Sequence, residues 1–99
     1  MAYRVLWSDP ALDRVAEFFD FISEDNPAAA RRVIGDLFDR VEALAEHPLL
    51  GRRLSEAVDP SLRKLVVGDY IVVYEVNEIR ETVWVLAARH HRQRPLPQE

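Results

Sequence analysis

The 99-residue sequence predicts an α+β domain in which a helical hairpin packs on an antiparallel sheet, with elements in the order β-α-α-β-β-β. Three observations carry that prediction. Two stretches before Pro48 repeat apolar side chains every three or four residues, each opened by a proline-bearing start signal. Beyond Pro48 the apolar period falls to two, in three β-branched and aromatic runs divided by polar turns. The length suits one compact core and leaves no room for two domains.

Residues 2–7, AYRVLW, alternate Tyr3, Val5 and Trp7 with Arg4 and Leu6, the pattern of a short strand. Ser-Asp-Pro follows, with Asp9 as the expected helix cap and Pro10 as the first helical residue. Leu12, Val15, Phe19 and Ile22 then recur on one side, and Asp13, Arg14, Glu17 and Asp20 fill the other, which predicts a helix over about 10–24. Asn26 and Pro27 repeat the start signal. Ala30, Val33, Ile34, Leu37, Phe38, Val41, Leu44 and Ala45 trace one stripe, so the second helix should run to about His47 and stop before Pro48. The connection is so short that the two helices must pair antiparallel. LLGRRLSEAVDPS reads as a loop. LRKLVV, YIVVYEV and TVWVLAA then form a meander through Gly68-Asp69 and the polar NEIRE. Residues 1–99 are thus one domain, ending in a basic, proline-bearing tail from about residue 89. Pro95 and Pro97 flank Leu96, which predicts an extended, mobile end.

Charge is distributed unevenly. Residues 1–88 carry ten Lys/Arg against sixteen Asp/Glu, while 89–99 carry three arginines against Glu99. The net charge of −4 argues against broad electrostatic binding of nucleic acid and confines any such contact to a local patch. With no cysteine, disulfides and thiolate metal sites are excluded. MAYRVLWSDP lacks the basic and apolar regions of a signal peptide, and no apolar run approaches the roughly 20 residues of a membrane span. These features predict a cytoplasmic protein with no membrane partner.

Several motifs share an order and spacing that resemble a known family. They are W-S-x-x-A before the first helix, D-N-P-x-A-A between the helices, P-L-L-G-R after the second, L-R-K-L-x-V-G-D-Y-x-V-x-Y across the middle hairpin, and R-H-H-R after the last strand. Over residues 3–94 the chain resembles the RelE/ParE toxin superfamily of type II toxin–antitoxin, or plasmid stabilisation, modules. The resemblance implies a growth-inhibiting toxin neutralised by a cognate antitoxin, typically a ribbon-helix-helix DNA-binding protein. It is compatible with a toxin–toxin contact within the complex, and it implies no cofactor. ParE-like members inhibit DNA gyrase without cutting anything; RelE-like members are metal-independent endoribonucleases that cut messenger RNA on the ribosome. A third alternative is a non-toxic remnant that only binds antitoxin.

Metal-free RNA cleavage needs a base, an acid and cations for the developing phosphorane charge. Here the only lysine is Lys64 and the net charge is negative, which favours the ParE-like branch. A ribonuclease would have to use Arg63, His90 and Arg92. For a binding toxin, Arg63, Arg89, His90, Arg92 and Arg94 are the expected target or partner contacts. Arg63 reads either as a phosphate contact or as a sheet-end arginine beside an acidic neighbour. His90 reads either as a base, since imidazole titrates near neutral pH, or as a hydrogen-bonded histidine fixing the strand end. Adjacent strand residues face opposite ways, so His90 and His91 form neither a catalytic pair nor a metal site. His47 is expected to serve the helix C-terminus. Arg31-Arg32 and Arg52-Arg53 read as solvated surface. Trp7, Phe19 and Phe38 read as packing, and Tyr70 and Tyr74 read either as packing under the helices or as platforms on which a base could stack at an open sheet face. Phe18, Phe21, Leu49 and Leu50 fall outside the clean stripes and suggest apolar surface for a partner.

Overall fold

The computed structural model describes residues 2–54 and 59–91. β1 (Arg4–Trp7) leads into α1 (Asp9–Asp25) and α2 (Pro27–Glu42), and a single 3₁₀ turn, Ala43–Ala45, extends α2. The sheet is completed by β2 (Arg52–Arg53), β3 (Leu62–Val67), β4 (Tyr70–Asn77) and β5 (Thr82–His90). Its strand order is β1-β5-β4-β3-β2. The meander β3-β4-β5 is antiparallel, as the alternation predicts, but β1 crosses over the helices to lie parallel to β5, Val5 beside Val83 and Trp7 beside Val85. The antiparallel sheet therefore carries one parallel edge. The loop expected after Pro48 contributes a further strand, with Arg52 opposite Lys64 and Arg53 opposite Arg63.

Both helices start at side-chain caps. Ser8, not Asp9, caps α1: its Oγ accepts from Ala11 N–H at 3.2 Å and donates to the Leu86 carbonyl at 3.0 Å. Asp9 and Pro10 become the first helical residues. The second bond explains the choice, because only a hydroxyl at position 8 can both accept and donate. Asn26 caps α2 as expected, accepting from Ala29 N–H at 3.0 Å. The α1 face that meets the sheet is Ala11, Val15 and Phe18, with Ile22 half-buried. Leu12 instead lies 41% exposed, and Phe18 belongs to the core. The α2 stripe is as predicted, with Ala30, Ile34, Leu37, Val41 and Leu44 buried and Phe38 half-buried.

α1 lies over β5 and α2 over β3. Between them and the sheet Leu65, Val67, Tyr70, Val72, Tyr74, Val76, Val83, Val85 and Ala88 close one core. Tyr70 and Tyr74 are buried there, as packing side chains. Trp7 meets Phe38 with ring centroids 5.0 Å apart. Gly68 takes φ +58° at the first central position of the β3–β4 hairpin, where a II′ turn requires glycine.

Candidate functional site

Of the predicted site residues, Arg63 and His90 fall at two corners of the sheet. One break in its alternation decides which face each presents. Between Val73 and Tyr74 the β4–β5 register shifts, so that Tyr74 pairs with Val85 but Val73 pairs with Ala87. β5 thus carries one extra residue, Leu86, whose carbonyl Ser8 Oγ binds. Before this bulge the odd residues Val83 and Val85 face the helices; after it Ala88 takes that face. His90 follows Ala88 by two and lies on the helix side, directly opposite Tyr70. Arg89, opposite Ile71, belongs to the other face.

His90 meets Tyr70 edge-to-face, with centroids 5.0 Å apart, and Tyr70 in turn lies 4.6 Å from Phe18. The Arg14 guanidinium stands 5.1 Å over the Phe18 ring and pairs with Glu17 at 2.8 Å. These side chains, with Phe21 at 76% exposure, line a mostly apolar hollow of about 440 Å³. Burial, then the neighbouring Asp69 carboxylate, pushes the Tyr70 hydroxyl above its ordinary pKa. The strand continues through His90, and His91 N–H donates to the Asp69 carbonyl, so Arg89 and His90 belong to the sheet and not to the tail. Arg92 and Arg94 lie outside the described residues.

The other corner is built around Tyr74. Its buried hydroxyl accepts from Gly51 N–H at 2.8 Å and donates to the Pro48 carbonyl at 2.9 Å. Gly51 is required sterically, since a Cβ there would lie 2.5 Å from the Lys64 carbonyl oxygen and 2.7 Å from the Tyr74 hydroxyl. Arg63 Nη1 donates to the Gly51 carbonyl at 2.6 Å and the Leu49 carbonyl at 3.3 Å. Among the described residues, the hydrogen-bond partners of Arg63 are the carbonyls of the loop that it clamps. Burial raises the Tyr74 pKa, while the Gly51 bond and the Arg63 charge oppose that rise. Beside this clamp Arg53, Arg63, Leu49, Glu75 and Ile79 line a cleft of about 630 Å³. His47 sits exposed in the turn after the 3₁₀ segment.

The two corners are well separated. Arg63 is opposite Tyr74 and His90 opposite Tyr70, four residues apart along β4. At about 3.3 Å per residue that is roughly 13 Å along the strand, with two strand spacings, about 10 Å, across it. Arg63 and His90 therefore do not meet as a cation and base on one reacting group. Arg89, on the opposite face, joins neither corner. The sequence reading missed the placement of Arg52 and Lys64 as cross-strand neighbours, because a two-residue strand has no period to detect. It also missed the Arg63–Gly51 clamp, although the joint occurrence of Pro48, Gly51 and a core-facing Tyr74 was a usable signal.

Known proteins share both the sequence and this architecture. The family profile for the ParE toxin of type II toxin-antitoxin system, parDE, matches residues 5–95. A curated relative from Sinorhizobium fredii, named "Putative toxin Y4kP", is 38% identical over 96 residues, covering 93% of each chain. Among solved structures, the chromosomal ParDE toxin–antitoxin system from P. aeruginosa aligns with a TM-score of 0.72 at 17% identity, over 90% of this chain and 96% of that one. The isolated E. coli RelE toxin aligns at 0.66 and 15% identity, covering 94% and 88%. The intact E. coli RelBE toxin-antitoxin complex aligns at 0.65 and 17%, covering 94% and 100%. The structural matches share the fold, and the profile spans nearly the whole sequence: this chain belongs to the ParE toxin family of type II toxin–antitoxin systems.

Proposed function

We propose that the chain is a cytoplasmic toxin that stops growth by binding DNA gyrase, and that a cognate antitoxin encoded beside it holds it inactive. The observation that carries the gyrase reading is the distance between Arg63 and His90, at opposite corners of the sheet. A ribonuclease needs its base and its phosphate-binding cations around one phosphate. The single lysine and the net charge of −4 also suit a protein that recognises a local target surface better than one that binds the ribosome through its overall charge. On this reading Arg89, His90, Arg92 and Arg94 are contacts for the target or the antitoxin. Arg63 shapes the loop that presents Arg52 and Arg53.

The antitoxin reading is supported by relatives whose structures are toxin–antitoxin systems, and by apolar side chains left open to solvent. Phe21, Leu49, Leu50 and Ile79 are all exposed. Apolar burial at about 25 cal/mol per Å² makes such side chains effective anchors. The test is induction of the chain in growing cells, with and without the product of the adjacent short reading frame. Growth should stop, messages should stay intact by primer extension, and the neighbour's product should restore growth. Cuts at fixed codon positions in translated messages would contradict the gyrase reading. Unimpaired growth would contradict toxicity itself.

A further inference from the structure

The hollow at the His90 corner is an aromatic shelf with a carboxylate on its rim. Phe18, Phe21 and Tyr70 supply its rings, and His90 closes it edge-on to Tyr70. Phe18 and Tyr70 are buried and fix the floor, whereas Phe21 is 76% exposed, an aromatic wall held out toward solvent. Glu17 lies one turn before Phe21 on the same stripe of α1, its side chain 64% exposed, and Glu24 and Asp25 lie one turn after it. Arg14 already uses this chemistry: its guanidinium meets the Phe18 ring at 5.1 Å and the Glu17 carboxylate at 2.8 Å. Proline-bearing segments dock on aromatic surfaces of this kind. Their preset extended backbone loses little entropy on binding, their rings and the apolar side chains between them lie on aromatic faces, and a flanking cation pairs with a carboxylate. Beyond His91 the sequence continues Arg92-Gln93-Arg94-Pro95-Leu96-Pro97, with two arginines and no acidic residue, and α1 holds six carboxylates against one arginine.

We infer that the chain's own Arg94-Pro95-Leu96-Pro97 segment seats on this hollow, with the Pro-Leu-Pro run against Phe18, Phe21 and Tyr70, and Arg94 on the Glu17 rim. The choice of occupant follows from reach, charge and tethering. His91 N–H donates to the Asp69 carbonyl, which fixes the point of departure one residue past His90, itself a wall of the hollow. Leu96 is five residues further on, a span of up to about 17 Å. The arginines carry the sign that the flank of α1 attracts. A short tether holds the segment at an effective concentration of about millimolar, so even a weak contact is populated. A proline segment of another protein would have to compete with it from free solution. The seat gives the basic run from Arg89 to Arg94 two fixed ends, the strand and the hollow. That those arginines meet a target or an antitoxin rests on the reading above; the seat itself does not.

Methyl NMR on the natural chain tests the seat. The Leu96 methyl signals should lie upfield of their ordinary position, because a methyl over an aromatic ring is shielded. Phe21→Ala should return them toward that position, and its wide exposure leaves the fold intact. Truncation after His91 should move the signals of Phe18, Phe21 and Tyr70 and leave those of Leu49 and Ile79, at the other corner, in place. A free peptide of residues 92–97 should reverse those movements at about millimolar concentration, and the same peptide with Leu96→Ser should bind at least about tenfold more weakly. Glu17→Gln should weaken the natural peptide several-fold at low salt and less at high salt. Leu96 methyls at their ordinary position in the natural chain, or unmoved by Phe21→Ala, would overturn the inference. Shifts that fade on dilution would overturn it as well, since they would assign the hollow to a second copy of the chain. Growth arrest plays no part in these readouts, so failure of the toxin reading shows separately, as unimpaired growth on induction.

Discussion

At the scale of single residues, Tyr74 joins the core to the loop after Pro48. Its hydroxyl satisfies the buried Gly51 N–H and donates to Pro48, and Arg63 closes the same loop from the adjacent strand. Tyr74→Phe leaves the Gly51 donor without its partner and should cost about 1–3 kcal/mol in urea denaturation. Alkaline pH should act on the same residue. The folded-state pKa values of Tyr70 and Tyr74 are both raised, chiefly by burial. Stability is therefore fully present below the ordinary tyrosine value of 10.0 and is lost as pH rises through the higher folded values. Thermal melts above that pH should fall steeply for the natural chain and less steeply for Tyr74→Phe. Ser8→Ala removes both the α1 cap and the donor to Leu86, and should cost about 1–2 kcal/mol. Sequence alone favoured Asp9 for the cap, since both residues are good caps and only the distant Leu86 carbonyl distinguishes them.

At the scale of elements, the period-two runs and the helical stripe of α2 were readable because each is a long pattern with one buried face. What escaped depends on pairing between distant segments. The parallel seat of β1, the two-residue β2 and the bulge at Leu86 leave no local periodicity. The bulge matters most for the site, because it moves His90 onto the helix side and sends Arg89 to the other. A simple count of alternation from Val83 would have reversed them. The α1 face shows a second limit. A stripe drawn through Leu12 and one drawn through Ala11 and Phe18 both fit the helical period, and only the position of β5 chooses the latter. Extension of β5 through His90 also makes shortening of the chain before that residue costly. Truncation after Ala88 removes the Arg89–Ile71 and His90–Tyr70 pairings and uncovers the edge of the Tyr70 ring. It should destabilise the fold by about 1–2 kcal/mol relative to truncation after His91, measurable as a lower melting temperature. Tests of the terminal arginines therefore belong in the longer variant.

At the scale of the whole molecule, charge and apolar surface divide among distinct faces. α1 presents an acidic flank, the far side of the sheet carries Arg52, Lys64 and Arg89, and Arg63 and His90 stand at opposite corners. The arrangement suits a protein that binds partners on several sides. His90→Ala should consequently change toxicity by only a few-fold in growing cells, where loss of an acid or base would cost about 10²–10⁴-fold. The most direct measurement is titration of the purified, antitoxin-free chain into a gyrase supercoiling reaction, alongside a translating extract in which message integrity is followed. The account predicts loss of supercoiling, or trapped cleavage complexes, at concentrations that leave messages whole. Undisturbed supercoiling together with ribosome-dependent cleavage of messages would contradict it.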